Sequence, residues 1–228
     1  MTMVALMLAF AAAGAETAPM VRVPAGRYQP LYGAPSADGR APRPRVPVAS
    51  FVVDVRAVTN GEYLEFVRAH PEWRRSHVKP IFADSGYLRH WAGDLDLGAG
   101  APPSSPVVSV SWFAARAYLH AAGKELPTVD QWEYVAAAGP VKAYGVSDLH
   151  GVIQEWTLDF NSSLVTGESR ADADLDRLLY CGAGAVGAAD FEDYAAFMRY
   201  AYRSSLEARY TIANLGFRGV AADPGRRR

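Results

Sequence analysis

With 228 residues, half of them apolar and 21% charged, the chain has enough material to bury a sizeable core and the balance of an ordinary globular protein. Its formal net charge of -1 excludes the wrapping of nucleic acid or of an anionic membrane, because both need a concentrated basic surface. The single cysteine, Cys181, excludes an intrachain disulfide and any multi-cysteine metal site.

At the start of the chain, residues 4–13 are apolar but too short to span a bilayer, and Ala13-Gly14-Ala15 is the small-x-small pattern after which a signal peptidase cuts. This predicts a signal peptide over residues 1–15, a periplasmic or secreted protein, and one domain over residues 16–228. No other segment is long and apolar enough to form a membrane span. Residues 21–51 alternate short apolar runs with Gly and Pro, which predicts short strands and turns.

Three helices follow. Thr59-Asn60-Gly61-Glu62 is a capping box that opens the first, with Tyr63, Phe66 and Val67 on one face and Pro71 as the stop. The second runs from about Trp112 to Ala121, with Ser111 as N-cap and Gly123 at its end. The third begins at Thr128 with Gln131 three residues on, turns Trp132 and Val135 or Ala136 inward, and ends at Gly139-Pro140. Beyond residue 141 the pattern predicts short strands around 152–158, 178–183, 199–205 and 217–220.

Between the first two helices lies a polar, aromatic insertion over residues 73–105, longer than a plain connection in a compact domain. Its Trp73, Arg74, Arg75, Tyr87, His90 and Trp91 are candidates for partner recognition, since such side chains supply contact area and directional hydrogen bonds. The alternative is a loop folded back onto its own domain. The five histidines show no spacing on a helix that would converge on zinc, and no metal ligand set is predicted. Cys181 reads either as a metal ligand or redox thiol, or as a small buried apolar group in a Gly/Ala-rich strand. His150 is the histidine placed most suggestively, so Cys181 and His150 are the catalytic candidates. The Gly-x-Gly-x-x-Gly spacing from Gly182 to Gly187 lacks a βαβ setting and reads as close backbone packing.

Several segments together resemble the formylglycine-generating enzyme and sulfatase-modifying-factor family: Val21 to Gly26, Val58 to Phe66, Pro106 to Trp112, Gly123 to Glu133, and Asn214 to Arg218. The resemblance implies an α+β fold related to C-type lectins, with twisted antiparallel sheets, a few helices and much irregular structure. It also implies that Asn214, Arg203 and Trp156 line a substrate cleft; alternatively, Asn214 and Gly216 serve a turn and Arg218 closes a buried ion pair. The family's oxidases hold copper with two cysteines in the C-terminal third. The corresponding stretch, residues 184–202, has none, so copper held by a cysteine pair is not expected and no other cofactor is specified. The family's Gly-Asn-Val-Trp-Glu-Trp motif stands here as Gly151-Val152-Ile153-Gln154-Glu155-Trp156, and the calcium-binding stretch after the third helix is shortened, so at least one structural calcium site should be missing.

The insertion, from Trp73-Arg74-Arg75-Ser76 to His90-Trp91-Ala92-Gly93, is similar to that of exported members encoded beside nitrite reductases. The expected function is therefore an exported accessory or maturation protein that binds a partner such as a periplasmic metalloenzyme and does not generate formylglycine. The alternatives are a metal-dependent oxidoreductase acting on a protein or small molecule through a non-standard site, and a lectin-like ligand binder.

Overall fold

The computed structural model describes residues 18–30, 45–138, 144–147, 149, 153–161 and 191–225. Among these, the elements in chain order are β1 (Met20–Val23), β2 (Gly26–Tyr28), β3 (Val46–Val48), β4 (Phe51–Asp54), α1 (Asn60–Ala69), a 3-10 turn (Pro71–Trp73), α2 (Trp112–Ala121), α3 (Val129–Ala136), β5 (Gln154–Glu155), α4 (Phe191–Ser204), β6 (Leu215–Gly216) and β7 (Val220–Ala222). This is a mixed α+β architecture with few helices.

A three-stranded antiparallel sheet, in the order β1-β4-β7, joins the two ends of the described chain: Val21 faces Val53 and Val53 faces Val220. Its alternating apolar residues Val23, Phe51, Val53 and Val220 form one core with Trp132, Val135 and Ala136 of α3. β2 and β3 pair antiparallel beside it, and β5 and β6 form a parallel pair, an addition to the antiparallel sheets that were expected.

Each of the first three helices starts where its capping residue dictates. The Thr59 side chain accepts from the Glu62 N–H while Glu62 accepts from the Thr59 N–H, and Thr128 and Gln131 do the same for α3. Ser111 caps α2 alone by accepting from the Ala114 N–H. The second core forms where α1 meets α2: the Tyr63 ring stacks on Tyr118 at 5.7 Å and meets Trp91 and Phe217 edge-on at 6.2 and 6.1 Å.

Of residues 199–205, expected as a strand, all but the last belong instead to α4, which ends at Ser204. The alternation Arg199-Tyr200-Ala201-Tyr202-Arg203 reads as period two, but Phe191, Tyr194, Phe197 and Tyr200 repeat every three residues, and the helical period prevails. Of the expected strand over 152–158, the described residues form only β5, and of that over 217–220 only Val220 is in a strand, as the first residue of β7 after a buried Phe217-Arg218. The strand expected over 178–183 lies outside the described residues.

The insertion carries neither α-helix nor β-strand beyond its first turn, yet much of it is core. Tyr87, Leu88, Trp91, Leu97 and Ala101 are buried in the same cluster as Tyr63 and Tyr118. Asn60 clamps it: its carbonyl oxygen accepts from Trp91 Nε1 at 3.0 Å, and its amide nitrogen donates to the carbonyls of Pro102 and Ser105 at 3.1 and 3.2 Å. Trp91 and Tyr87 are therefore packing residues and do not present themselves to a partner, a correction to the recognition reading. Trp91→Ala should cost about 3–5 kcal/mol through the lost ring and the cavity it leaves. Chemical denaturation would measure this, and a cost below about 1 kcal/mol would contradict the packing role.

Candidate functional site at the β5–β6 rim

Three chain segments converge around the parallel pair of β5 and β6. From the end of α3 and beyond, Gln154 N–H donates to Asn214 O at 2.7 Å and Trp156 N–H to Gly216 O at 2.9 Å. From the loop ahead of α2, Ser109 N–H donates to Ile212 O at 3.1 Å, and Trp156 Nε1 donates to Val110 O at 2.9 Å. Trp112 closes the knot with its indole N–H on Thr157 O at 3.1 Å and its backbone N–H on Ala208 O. Gly216 is where this approach is tightest, since a Cβ there would lie 2.5 Å from Val107 O.

Beneath the pair runs a buried chain of charges. Arg199 and Arg203 of α4 both donate to Glu133 of α3, at 2.7 and 2.6 Å. The Arg203 guanidinium also lies 4.6 Å from the centre of the Trp132 ring, whose Nε1 donates to Glu155 at 2.8 Å. Glu155 then receives the fork of Arg218, which further donates to the carbonyls of Asp54 and Ser147. Burial pushes the Glu133 carboxyl up, but Arg203 and Arg199 outweigh it and hold it below the usual glutamate value.

The three residues expected in a cleft thus belong to one region but hold different positions. Asn214 is exposed at the rim, with its backbone fixed by Gln154. Trp156 is fully buried against Phe160, ring centres 5.1 Å apart, and Arg203 is 4% exposed in its ion pair. Trp156 and Arg203 therefore support the rim from below, and the direct lining expected of them is not seen. The alternative role given to Arg218, a buried ion pair, is the one it takes.

Sequence reasoning missed the hydroxyls here. Among the described residues, four buried side-chain polar atoms have no partner: Ser109 Oγ, Thr157 Oγ1, Tyr202 OH and His90 Nδ1. Ser109 and Thr157 lie in the segments just described, and Tyr202 packs against the same core. Ser109 also holds φ at 54°, a left-handed conformation that a residue with a Cβ adopts at a cost. Unspent hydrogen-bonding capacity and local strain are therefore concentrated beside the rim. No sequence pattern marks such atoms, because their isolation depends on which backbone groups arrive from elsewhere.

In the insertion, Trp73 and His90 are half-buried. His90 Nε2 lies 3.4 Å from Asn60 Oδ1, and burial followed by the neighbouring Arg89 charge pushes its pKa down. Arg74 donates to Val67 O and Arg75 to Trp91 O, so both brace the loop while keeping charge at the surface. Cys181 and His150, the catalytic candidates, and the glycines from Gly182 to Gly187 lie outside the described residues. Among the described residues no group of three His, Cys, Asp or Glu side chains is placed to hold a metal.

Short sheets framed by capped helices, long irregular connections and a buried charge chain under a polar rim make up a mixed α+β domain. The chain belongs to the sulfatase-modifying factor enzyme 1-like domain family, whose model matches residues 8–144. It is 33% identical over 151 residues to the inactive C-alpha-formylglycine-generating enzyme 2 of Bos taurus, covering 54% of this chain and 50% of that protein. It is 34% identical over 157 residues to the formylglycine-generating enzyme of Streptomyces coelicolor, covering 54% of this chain and 48% of that protein. A third similarity, 25% over 147 residues, is to the serine/threonine-protein kinase pkn1 of Chlamydia pneumoniae, covering 51% of this chain and 24% of that protein. The chain spans about half the length of the first two relatives. No helix among the described residues is long and apolar enough to cross a membrane.

Proposed function

We propose that the protein is an exported accessory or maturation factor that holds an extended polypeptide at the β5–β6 rim and does not make formylglycine. The observation that carries this reading is Asn214: exposed, fixed through its backbone, and set over a rigid buried charge chain in a sequence with one cysteine. An amide offers both a donor and an acceptor, the pair a peptide backbone needs, and its fixed main chain lowers the ordering cost of binding. A copper centre built on two thiolates needs a second cysteine, which this sequence does not contain. A relative whose name describes an inactive formylglycine-generating enzyme is consistent with this scaffold serving a purpose other than that oxidation. The partner in this reading is a periplasmic metalloenzyme, with a nitrite reductase as the first to examine.

Deleting the gene should leave that metalloenzyme incompletely matured, with activity restored by the parent chain and reduced about tenfold or more by Asn214→Ala at unchanged melting temperature. Full metalloenzyme activity in the deletion strain would overturn the reading. Restoration by Cys181→Ser would support a non-oxidative role. Loss of both complementation and a stoichiometric bound metal in Cys181→Ser or His150→Ala would favour a metal-dependent oxidoreductase instead.

A further inference from the structure

We infer that Asp84 of the insertion is a positioning residue for the rim: it holds the turn that carries Asn214, so that the insertion serves the site from behind. The inference rests on the reading that Asn214 grips a peptide backbone. Asn214 stands on the turn from Ile212 to Leu215, closed by the Leu215 N–H on Ile212 O at 3.1 Å, and both central residues, Ala213 and Asn214, are exposed. The chain that leads into this turn from the end of α4 at Ser204 has neither helix nor strand to set its course.

Asp84 supplies that course. Its N–H donates to Arg209 O at 3.0 Å. One of its carboxylate oxygens accepts from the Thr211 N–H at 3.2 Å, and the other accepts from the Thr211 hydroxyl and, at 2.9 Å, from the Gly86 N–H. One half-buried residue thus grips the chain on both sides of Tyr210, just before the turn begins. Gly86 lets the insertion lie close against this hold, since a Cβ there would stand 2.7 Å from Thr211 Oγ1 and 3.1 Å from Thr211 O.

A second tie runs beside the first. Leu88 N–H donates to Ser109 O at 2.9 Å and Ser109 N–H to Ile212 O at 3.1 Å, so the insertion also reaches the first residue of the turn through Ser109. Leu88 and Ser109 are both buried and both left-handed, at φ 46° and 54°, a conformation that a residue with a Cβ keeps only where its surroundings fix it. The strain therefore lies in the link between insertion and rim. The direct hold needs a carboxylate, because each Asp84 oxygen receives a backbone N–H. An asparagine has the same shape but one oxygen, and whichever way its amide is turned an NH2 faces one of those N–H groups. Asp84→Asn thus keeps the volume and breaks the hold.

Amide hydrogen exchange of the purified chain, read residue by residue by NMR, tests the hold, and complementation of the deletion strain tests its use. In Asp84→Asn the amides of Leu215 and Gln154, which fasten the turn, should exchange about tenfold or more faster relative to those of Tyr63 and Trp132 in the two cores. Thr211→Val, which removes only the hydroxyl, should give a smaller effect of the same kind, and it carries the test if Asp84→Asn does not fold. The two together should give less than the sum of their separate effects, since they remove a shared contact. Complementation by Asp84→Asn should fall about as far as that by Asn214→Ala. Equal acceleration at all four amides, or none at Leu215 and Gln154, would overturn the proposal, because Asp84 would then support the fold at large and not the rim. Full complementation by Asp84→Asn where Asn214→Ala fails would overturn it as well. Full complementation by Asn214→Ala sinks the peptide reading alone, since the exchange rates decide Asp84's hold on the turn in either case.

Discussion

Arg218→Ala should destabilise the protein by about 3–5 kcal/mol. Arg218 and Glu155 are each 1% exposed, and the guanidinium reaches both carboxylate oxygens at 2.8 to 3.0 Å while donating to Ser147 O at 2.9 Å. Truncation strands a carboxylate in the core with Trp132 as its remaining side-chain donor, and removes the side-chain donor from the carbonyls of Asp54 and Ser147. Arg218→Lys keeps the charge but loses the planar fork and should recover only part of the loss. Arg218→Met combined with Glu155→Leu should cost less than Arg218→Ala alone, since no charge is then left buried. Equilibrium unfolding in urea, with the slope compared between variants, measures all three. A cost for Arg218→Ala below about 1 kcal/mol would mean that water reaches this pair.

The second large effect lies one step along the same chain of charges. Glu133→Gln leaves Arg199 and Arg203, 14% and 5% exposed at their side chains, without their carboxylate and should cost about 3 kcal/mol or more at neutral pH. Its pH dependence has a definite sign. The folded glutamate has a pKa below its ordinary value, so the unfolded chain takes up its proton first as the pH falls. The stabilisation is complete above the unfolded value, near 4.5, and is lost as pH falls through the lower folded value. The gap between parent and Glu133→Gln should therefore be widest at neutral pH and narrow in acid below the unfolded value. A gap that stayed constant down to strongly acid pH would show that the carboxylate's charge is not what stabilises this contact.

What could be read from the sequence depended on how local the determinant was. Thr59, Ser111 and Thr128 cap helices within their own first turns, and those three starts fall where the residues indicate. The end of α4, from Arg199 on, reads as a strand because its Arg-Tyr-Ala-Tyr-Arg stretch satisfies two periods over a short window, and only the longer window separates them. Trp91 is a different kind of miss. An aromatic residue in a long loop is equally suited to a partner surface and to its own core, and the arrival of Asn60 from α1 decides between them. The same holds at the candidate site. The motif residues Glu155, Trp156, Asn214 and Arg218 could be named, but Glu133 as the anchor for Arg199 and Arg203 depends on α3 and α4 meeting across more than sixty positions of sequence.

The packing of the insertion also governs how the chain meets a protease. A long stretch without helix or strand is ordinarily where the first nick falls, because it can straighten into an enzyme's cleft while the rest stays folded. Here Asp84 N–H bonds to Arg209 O, Leu88 N–H bonds to Ser109 O, and Tyr87, Leu88 and Trp91 are locked among the rings of α1 and α2. Straightening this stretch means emptying the core, so cleavage between residues 83 and 101 should keep pace with unfolding of the whole domain and not with a local opening.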